Sequence, residues 1–197
     1  MFATQIRHIK TSVHIEAQKA ATALQRGKTL LFPTDTVWGI GGDARRSDVV
    51  DKIYTLKQRP ASKALICLVA NLEMLQQHLT QIPELALSYL HAPRPTTVIF
   101  SHPQGLAPEL LAEDHSVAFR IPNDPFCQQL LQAFGGPLIA TSANLSQHPT
   151  PKQFSEIDPA ILKGVDYIVP LSQDQIKAQP SRIVKVNPDG TATILRD

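Results

Sequence analysis

Apolar side chains recur along the chain in two patterns, one typical of helices and one typical of buried strands. A spacing of three to four residues, with stop signals such as Gly27 and Pro60, predicts helices. These helices cover residues 12–26, 47–57 and 124–134, and Asn71 can cap another. Short apolar runs predict strands at residues 29–32, 64–69, 96–100, 116–120, 138–141 and 165–169. Strands and helices therefore alternate.

The end of the chain follows a different pattern. Residues 182–186 and 191–196 flank the sequence Asn-Pro-Asp-Gly, which is a hairpin turn signal. Alternating elements followed by a hairpin predict an α/β fold with a mixed sheet, parallel crossovers in its body and an antiparallel edge. The chain has 197 residues without a long linker or repeat, so a single domain over 1–197 is expected.

Composition and charge narrow the class of protein. The chain is 43% hydrophobic and 18% charged, and its apolar runs are shorter than the roughly 20 residues of a membrane span. Without an export signal, a cytoplasmic protein with no membrane partner is expected. Cys67 and Cys127 lie alone in apolar stretches, and no histidine or cysteine spacing suits a metal, so no protein metal site is expected. A net charge of +2 permits an anionic substrate without requiring a nucleic acid.

Residues 39–44, Gly-Ile-Gly-Gly-Asp-Ala, match the glycine pattern of dinucleotide-binding folds. That fold needs the first glycine directly after a strand and an acidic residue about 20 positions later, and both are missing. The sequence favours a wide loop over residues 33–46 in which the glycines supply conformational freedom. A phosphate-binding loop of the Walker type is also absent from the sequence.

Polar clusters follow several predicted elements, and each has a structural and a functional interpretation. Residues 57–59, Lys-Gln-Arg, either terminate a helix or bind phosphate together with Lys63. Residues 141–144, Thr-Ser-Ala-Asn, either form a turn or bind a ligand at the carboxyl end of a strand. The same alternatives apply to residues 33–36, and Arg120 is either an ion-pair partner or an anion site.

The order of these motifs resembles that of the YrdC family, the threonylcarbamoyl-AMP synthases, in its short bacterial form. The matching stretches are residues 32–41, 56–60 with Lys63, 117–120, 142–146 and 180–183. Because they extend over most of the chain, their combination is more specific than any single motif. The resemblance implies one YrdC-like domain with a twisted mixed parallel and antiparallel sheet, helices and a large basic concave cavity.

The resemblance also implies an activity. A nucleotidyltransferase of this family joins L-threonine, bicarbonate and ATP into threonylcarbamoyl-AMP and diphosphate, for threonylcarbamoyladenosine formation in tRNA. Mg²⁺ would accompany ATP without a dedicated protein site. The tRNA would be an indirect or weak partner, and a downstream threonylcarbamoyl-transferase complex would receive the product. A carbamate is itself an anionic nucleophile, so this chemistry needs positioning and charge neutralisation more than a catalytic dyad.

By resemblance, the site residues fall into three overlapping groups. The catalytic group is Lys57, Arg59, Ser142 and Asn144. The group that contacts ATP contains these four residues with Lys63, Ser116, Thr150 and Arg196. The group that binds threonine is Thr34, Arg120, Ala140 through its main chain, and Ser181.

Three positions depart from the family pattern. Lys63 stands where many relatives carry asparagine, and Leu68 replaces a histidine of longer relatives. Arg94 replaces a usual glycine, so it either lines the cavity or alters its rim. Two other functions stay open, namely carbamoyl-AMP formation as in hydrogenase-maturation carbamoyltransferases and non-catalytic RNA binding, for which no aromatic RNA-binding motif is present.

Overall fold

A computed structural model describes residues 2–58, 65–171, 173, 179–187 and 189–197. In these residues the helices are α1 (Phe2–Gln25), α2 (Ser47–Leu56), α3 (Leu72–Gln76), α4 (Glu84–Leu90), α5 (Pro125–Phe134) and α6 (Pro159–Gly164). The strands are β1 (Leu30–Phe32), β2 (Gly39–Asp43), β3 (Ile66–Leu68), β4 (Thr96–Ser101), β5 (Ser116–Arg120), β6 (Leu138–Ser142), β7 (Tyr167–Ile168), β8 (Arg182–Val186) and β9 (Ala192–Arg196). Pro60, Ala64 and Pro188, which entered the predictions, lie outside the described residues.

Local capping signals place several helix ends where the sequence predicts them. Asn71 accepts a hydrogen bond from the Met74 amide at 2.8 Å and so caps α3. Asp124 caps α5 in the same way, and Gly135 ends that helix at a φ of 72°. The first helix begins ten residues earlier than predicted, at Phe2 instead of Ser12. Helices α4 and α6 were not predicted.

The described strands form one nine-stranded sheet in the order β7-β1-β2-β6-β3-β5-β4-β8-β9. Strand pairs β1–β7, β3–β5 and β4–β8 are parallel, and the other five pairs are antiparallel. The predicted α/β fold with a mixed sheet is therefore confirmed. The expectation that antiparallel pairing is confined to the edge is wrong, since β2 and β6 run antiparallel to neighbours in the centre. The extent of one domain over 1–197 stays a prediction.

The expected wide glycine loop is in part a strand, because residues 39–43 form β2 between β1 and β6. None of its glycines has a positive φ. A β-carbon on Gly41 would lie 2.3 Å from the carbonyl oxygen of Ile139, and one on Gly42 would lie 2.2 Å from a methyl group of Val49. Glycine is needed here for close packing rather than for conformational freedom.

The two faces of the sheet are covered to different extents. One face packs against α2, α3 and α4 through apolar residues such as Ile40 and Phe119. The other face packs against α1 and α5 through residues such as Leu68 and Leu138. Next to this second core the same face carries smaller side chains, such as Ala118. That part of the face borders the cavity described below.

Candidate active site

A cavity of about 300 Å³ lies over this part of the sheet. Its walls come from the segment after β1, from β3, β5 and β6, and from the C-terminal hairpin. The residues in its lining that the sequence singled out are Thr34, Arg120, Ala140, Ser142, Thr150, Ser181 and Arg196. Side chains from distant motifs therefore meet in one place.

The cavity lies over the face of the sheet and not at the carboxyl ends of the strands, where the sequence placed it. Leu68 pairs with Arg120 in the parallel strand β5 and with Leu138 in the antiparallel strand β6. Arg120 therefore ends β5 at the edge where β6 begins. Ser142 ends β6 at the opposite edge, yet it reaches the same cavity because alternate residues of a strand share a face.

Arg120 is both an ion-pair partner and a cavity residue, so its two interpretations are compatible. It is only 4% exposed, and its Nη1 donates to Asp35. Its Nη2 has a long contact of 3.4 Å with the hydroxyl of Thr36. Its buried Nε has no hydrogen-bond partner among the described residues. Part of the hydrogen-bonding capacity of this guanidinium is therefore unused among the described residues.

Thr34 shapes the turn that follows β1. Its hydroxyl accepts hydrogen bonds from the amides of Thr36 at 3.0 Å and Val37 at 3.2 Å, and it donates to the Val37 carbonyl at 2.8 Å. The hydroxyls of Thr34 and Thr36 are 2.9 Å apart. This local network holds both threonines against the cavity.

The C-terminal hairpin supplies a second cation. Arg196 donates from Nη2 and Nε to the carbonyl of Ser181, at 2.7 and 3.0 Å. The Ser181 hydroxyl lies 2.7 Å from that of Thr97. Burial, and in second place the positive charge of Arg120, lower the pKa of Arg196. Both guanidinium groups therefore contribute positive charge to the cavity, which favours an anionic ligand.

Lys57 lies beside the segment 142–144 but not in the lining of the cavity. It is fully buried, and its ammonium donates to the carbonyls of Ser142 at 2.5 Å and Asn144 at 2.6 Å. The amide of Ser146 donates back to the Lys57 carbonyl at 2.8 Å. The two segments on which the sequence placed most chemistry are therefore joined directly, through the main chain of one and the side chain of the other.

Asn144, Thr150 and Ser116 occupy positions around the cavity. The Asn144 amide nitrogen donates to the carbonyls of Leu145 and His148, at 2.9 and 2.7 Å. Asn144 lines a neighbouring pocket of about 410 Å³, which Thr150 shares with the cavity. Ser116 lies on the cavity face of β5 but outside the lining, and its hydroxyl donates to Asp114 at 2.6 Å.

The structure describes two of the three positions that depart from the family pattern. Leu68 is fully buried in the core under α1 and α5, so it does not line the cavity. Arg94 is also outside the lining, and its Nη1 pairs with Asp197 at 3.0 Å. Arg59 and Lys63 lie outside the described residues. The large basic character of the cavity stays a prediction.

Sequence reasoning did not single out two residues, Asp35 and Thr97, that form hydrogen bonds with residues of the lining. Asp35 belongs to the polar cluster at 33–36, but nothing in the sequence indicated that it pairs with Arg120. Thr97 lies in an apolar strand and gave no signal. In the described part of the chain, no three His, Cys, Asp or Glu side chains form a group that could hold a metal ion. Within the same residues, no helix is long and apolar enough to cross a membrane.

Proteins of known family resemble this chain over most of its length. The Sua5/YciO/YrdC family model, described as "Telomere recombination", matches residues 22–197. The threonylcarbamoyl-AMP synthase of Hahella chejuensis is 34% identical over 155 residues, which are 78% of this chain and 84% of that protein. The protein of the same name from Xanthomonas campestris pv. campestris is 34% identical over 184 residues, 90% of this chain and 95% of its own length.

A solved structure agrees with this assignment. The P. abyssi Sua5 structure complexed with L-threonine superposes with a TM-score of 0.81 at 25% identity. The match covers 93% of this chain and 54% of that one, so this chain spans about half the length of the P. abyssi protein. The family that the order of the motifs suggested is thereby confirmed, and the chain belongs to the Sua5/YciO/YrdC family.

Proposed function

We propose that this chain is a threonylcarbamoyl-AMP synthase, which joins L-threonine, bicarbonate and ATP into threonylcarbamoyl-AMP and diphosphate. The observation that carries the proposal is the pair of guanidinium groups, Arg120 and Arg196, that face one cavity in a chain 34% identical to synthases of that name. An amino-acid carboxylate, a carbamate and a triphosphate are all anions that such a cavity attracts.

The threonine half of the site lies at the segment after β1 and at the end of β5. Arg120 would bind the carboxylate of threonine, and Thr34, which lines the same cavity, would contact the amino acid. The main chain at Ala140 and the hydroxyl of Ser181 would complete this half. With these contacts the amine is held still, so that it meets bicarbonate-derived CO₂ and forms a carbamate with loss of one proton.

The ATP half would extend from Ser142 through Thr150 towards the neighbouring pocket. A carbamate oxygen attacks the α-phosphorus and forms the new P–O bond, while the bond to the bridging oxygen of the β-phosphate breaks and diphosphate leaves. The additional residues that we assign to ATP are Lys57, Arg59, Lys63, Ser116, Asn144 and Arg196. The cations among them would balance the negative charge that moves onto diphosphate.

Mg²⁺ would arrive with ATP, held mainly by phosphate oxygens and water. The neutral hydroxyl of Ser142 suits a contact with such a water, and no acidic cluster of the described residues competes for the ion. When bound, the ion would supply positive charge to the leaving diphosphate. The product would pass in the cytoplasm to a downstream threonylcarbamoyl-transferase complex, and tRNA would be at most an indirect or weak partner.

Diphosphate release tests this proposal. The chain is incubated with ATP and Mg²⁺, with and without L-threonine and bicarbonate, and release is expected only when all components are present. Arg120→Met should abolish most of the threonine-dependent release, whereas Arg94→Met should retain it because Arg94 pairs with Asp197 outside the cavity. Release that does not depend on threonine would contradict the proposal.

Two further measurements distinguish the proposed function from the two alternative functions. Turnover with carbamoyl phosphate in place of threonine and bicarbonate would favour carbamoyl-AMP formation. Salt-dependent tRNA binding that persists in a variant without ATP turnover would favour an RNA-binding role.

A further inference from the structure

We infer that Asp35 is a positioning residue that holds Arg120 by one nitrogen and so reserves the opposite edge of the guanidinium for the carboxylate of the amino-acid substrate. This inference rests on the proposed function, because it assigns the partner of a residue in the threonine half of the site. Asp35 was not among the site residues that the family resemblance indicated.

The hydrogen bonds of Arg120 divide its guanidinium into an occupied side and an open side. Nη1 donates to Asp35, whereas Nη2 has only the 3.4 Å contact with Thr36. Nε has no partner among the described residues although Arg120 is only 4% exposed. A buried donor without a partner is costly, so this edge favours an acceptor that a ligand supplies.

Two other arginines of this chain indicate which ligand suits that edge. Arg45 binds Asp43 through Nε at 2.8 Å and Nη2 at 3.0 Å, one nitrogen to each carboxylate oxygen. Arg46 binds Asp48 through the same two nitrogens, at 3.0 and 2.8 Å. The Nε and Nη2 edge therefore matches both oxygens of a carboxylate, and it is the edge that Arg120 leaves open.

Arg196 does not offer the same edge. Its Nε and Nη2 both donate to the carbonyl of Ser181. Of the two guanidinium groups that face the cavity, Arg120 is thus the one whose side-on pair of donors is suited to a substrate carboxylate.

Asp35 is itself held at both oxygens, which allows it to orient Arg120. Oδ1 accepts from Arg120, and Oδ2 accepts from the amide of Asn123 at 3.1 Å. Asn123 follows β5, so this carboxylate links the turn after β1 to the segment after β5. Its side chain is 11% exposed, so water competes little for either bond. Without Asp35 the guanidinium would lose this anchor and could rotate about its terminal torsions.

The experiment compares L-threonine with L-threoninol, which keeps the amine and side chain but carries a hydroxymethyl group instead of the carboxylate. Dissociation constants of both are measured by calorimetry on the full chain, and KM for ATP is measured by diphosphate release. The wild type should prefer threonine by about 10- to 100-fold, the range expected for charge-assisted hydrogen bonds. Asp35→Ala should lose most of this preference while KM for ATP changes less than about twofold.

Two further variants distinguish a loss of Arg120 positioning from a loss of folding. Asp35→Asn keeps an oxygen acceptor for Nη1 and should retain most of the preference. Asp35→Ala combined with Arg120→Met removes both charges of the buried pair, and its preference should equal that of Arg120→Met alone, since Asp35 acts only through Arg120.

Three results would overturn the inference. The first is a wild type that shows no preference for threonine over threoninol, and the second is an Asp35→Ala variant that keeps or increases this preference. The third is an Asp35→Ala variant that binds threonine and threoninol more weakly by the same factor, as general structural damage would cause. Failure of the proposed function has a different signature, because the wild type would then bind threonine with the expected preference and yet release no threonine-dependent diphosphate.

Discussion

Replacing Lys57 by methionine tests whether this lysine stabilises the fold or serves only as a ligand for phosphate. The ammonium is fully buried and donates to the carbonyls of Ser142 and Asn144, at 2.5 and 2.6 Å. Methionine preserves most of the volume of the side chain but provides no donor. We therefore expect Lys57→Met to destabilise the protein in the absence of any ligand.

The size of the expected destabilisation follows from the carbonyl groups that lose the ammonium of Lys57 as a hydrogen-bond donor. The Ser142 carbonyl keeps the hydrogen bond from the Asn144 amide at 2.9 Å, whereas the Asn144 carbonyl loses the ammonium. A buried acceptor without a partner costs about 1–3 kcal/mol, and the second lost bond to a charged group adds a similar amount. Relief of the desolvation of the ammonium offsets part of this cost. A net loss of about 2–4 kcal/mol lowers the melting temperature by roughly 5–15 °C in a chain of this size.

Thermal unfolding followed by circular dichroism without nucleotide measures this effect. Lys52→Met is the matched control, since Lys52 lies on the same helix and forms an exposed pair with Asp166. Exposed pairs contribute about 1 kcal/mol or less, so the control should melt within a few degrees of the wild type. An unchanged melting temperature in Lys57→Met, together with lost ATP turnover, would refute the reasoning and assign Lys57 to the substrate alone.

Three further predictions concern packing, pH and the family pattern. Gly41→Ala should lower the free energy of unfolding by about 3 kcal/mol, because its β-carbon would meet a carbonyl oxygen at 2.3 Å. Gly135→Ala is strained only by the φ of 72° and should lower it by about 1 kcal/mol. Burial alone would raise the pKa of Asp166. Hydrogen bonds, first of all the one from Lys52, outweigh burial and hold this pKa below its usual value. Its stabilisation is present above the unfolded pKa near 4 and is lost as pH falls through the lower folded value, so Asp166→Asn should destabilise at pH 7 and progressively less in acid. Leu68→His should destabilise by about 2–4 kcal/mol without improving threonine binding, because this position lies in the core.

Each of these predictions has a direct check. Urea unfolding compares the two alanine variants, and equal costs would contradict the packing argument for β2. Unfolding at pH 7 and pH 3 tests the carboxylate, where a difference that grows in acid would have the wrong sign. A lower KM for threonine in the histidine variant would place position 68 in the site after all.

Local signals in the sequence were sufficient to predict most of the helices and strands. The residues of β5 coincide with the predicted run 116–120, and Asn71 and Asp124 cap helices where they were expected or one residue away. Such features depend on neighbouring residues only, through side-chain hydrogen bonds to nearby amides and through runs of apolar residues. Strand β2 escaped prediction because glycine has low strand propensity, and the carbonyl and methyl groups that exclude a β-carbon there come from β6 and α2.

The sequence by itself determined the class of fold and, through the order of its motifs, predicted a set of candidate site residues. Seven of those residues line one cavity in the structure. Only the tertiary structure decided that this cavity lies over a sheet face, that Asp35 holds Arg120, and that Lys57 binds the carbonyls of Ser142 and Asn144. These contacts join residues 85 to 87 positions apart in the chain. Strand order and register set such contacts, and neither follows from the local spacing of residues.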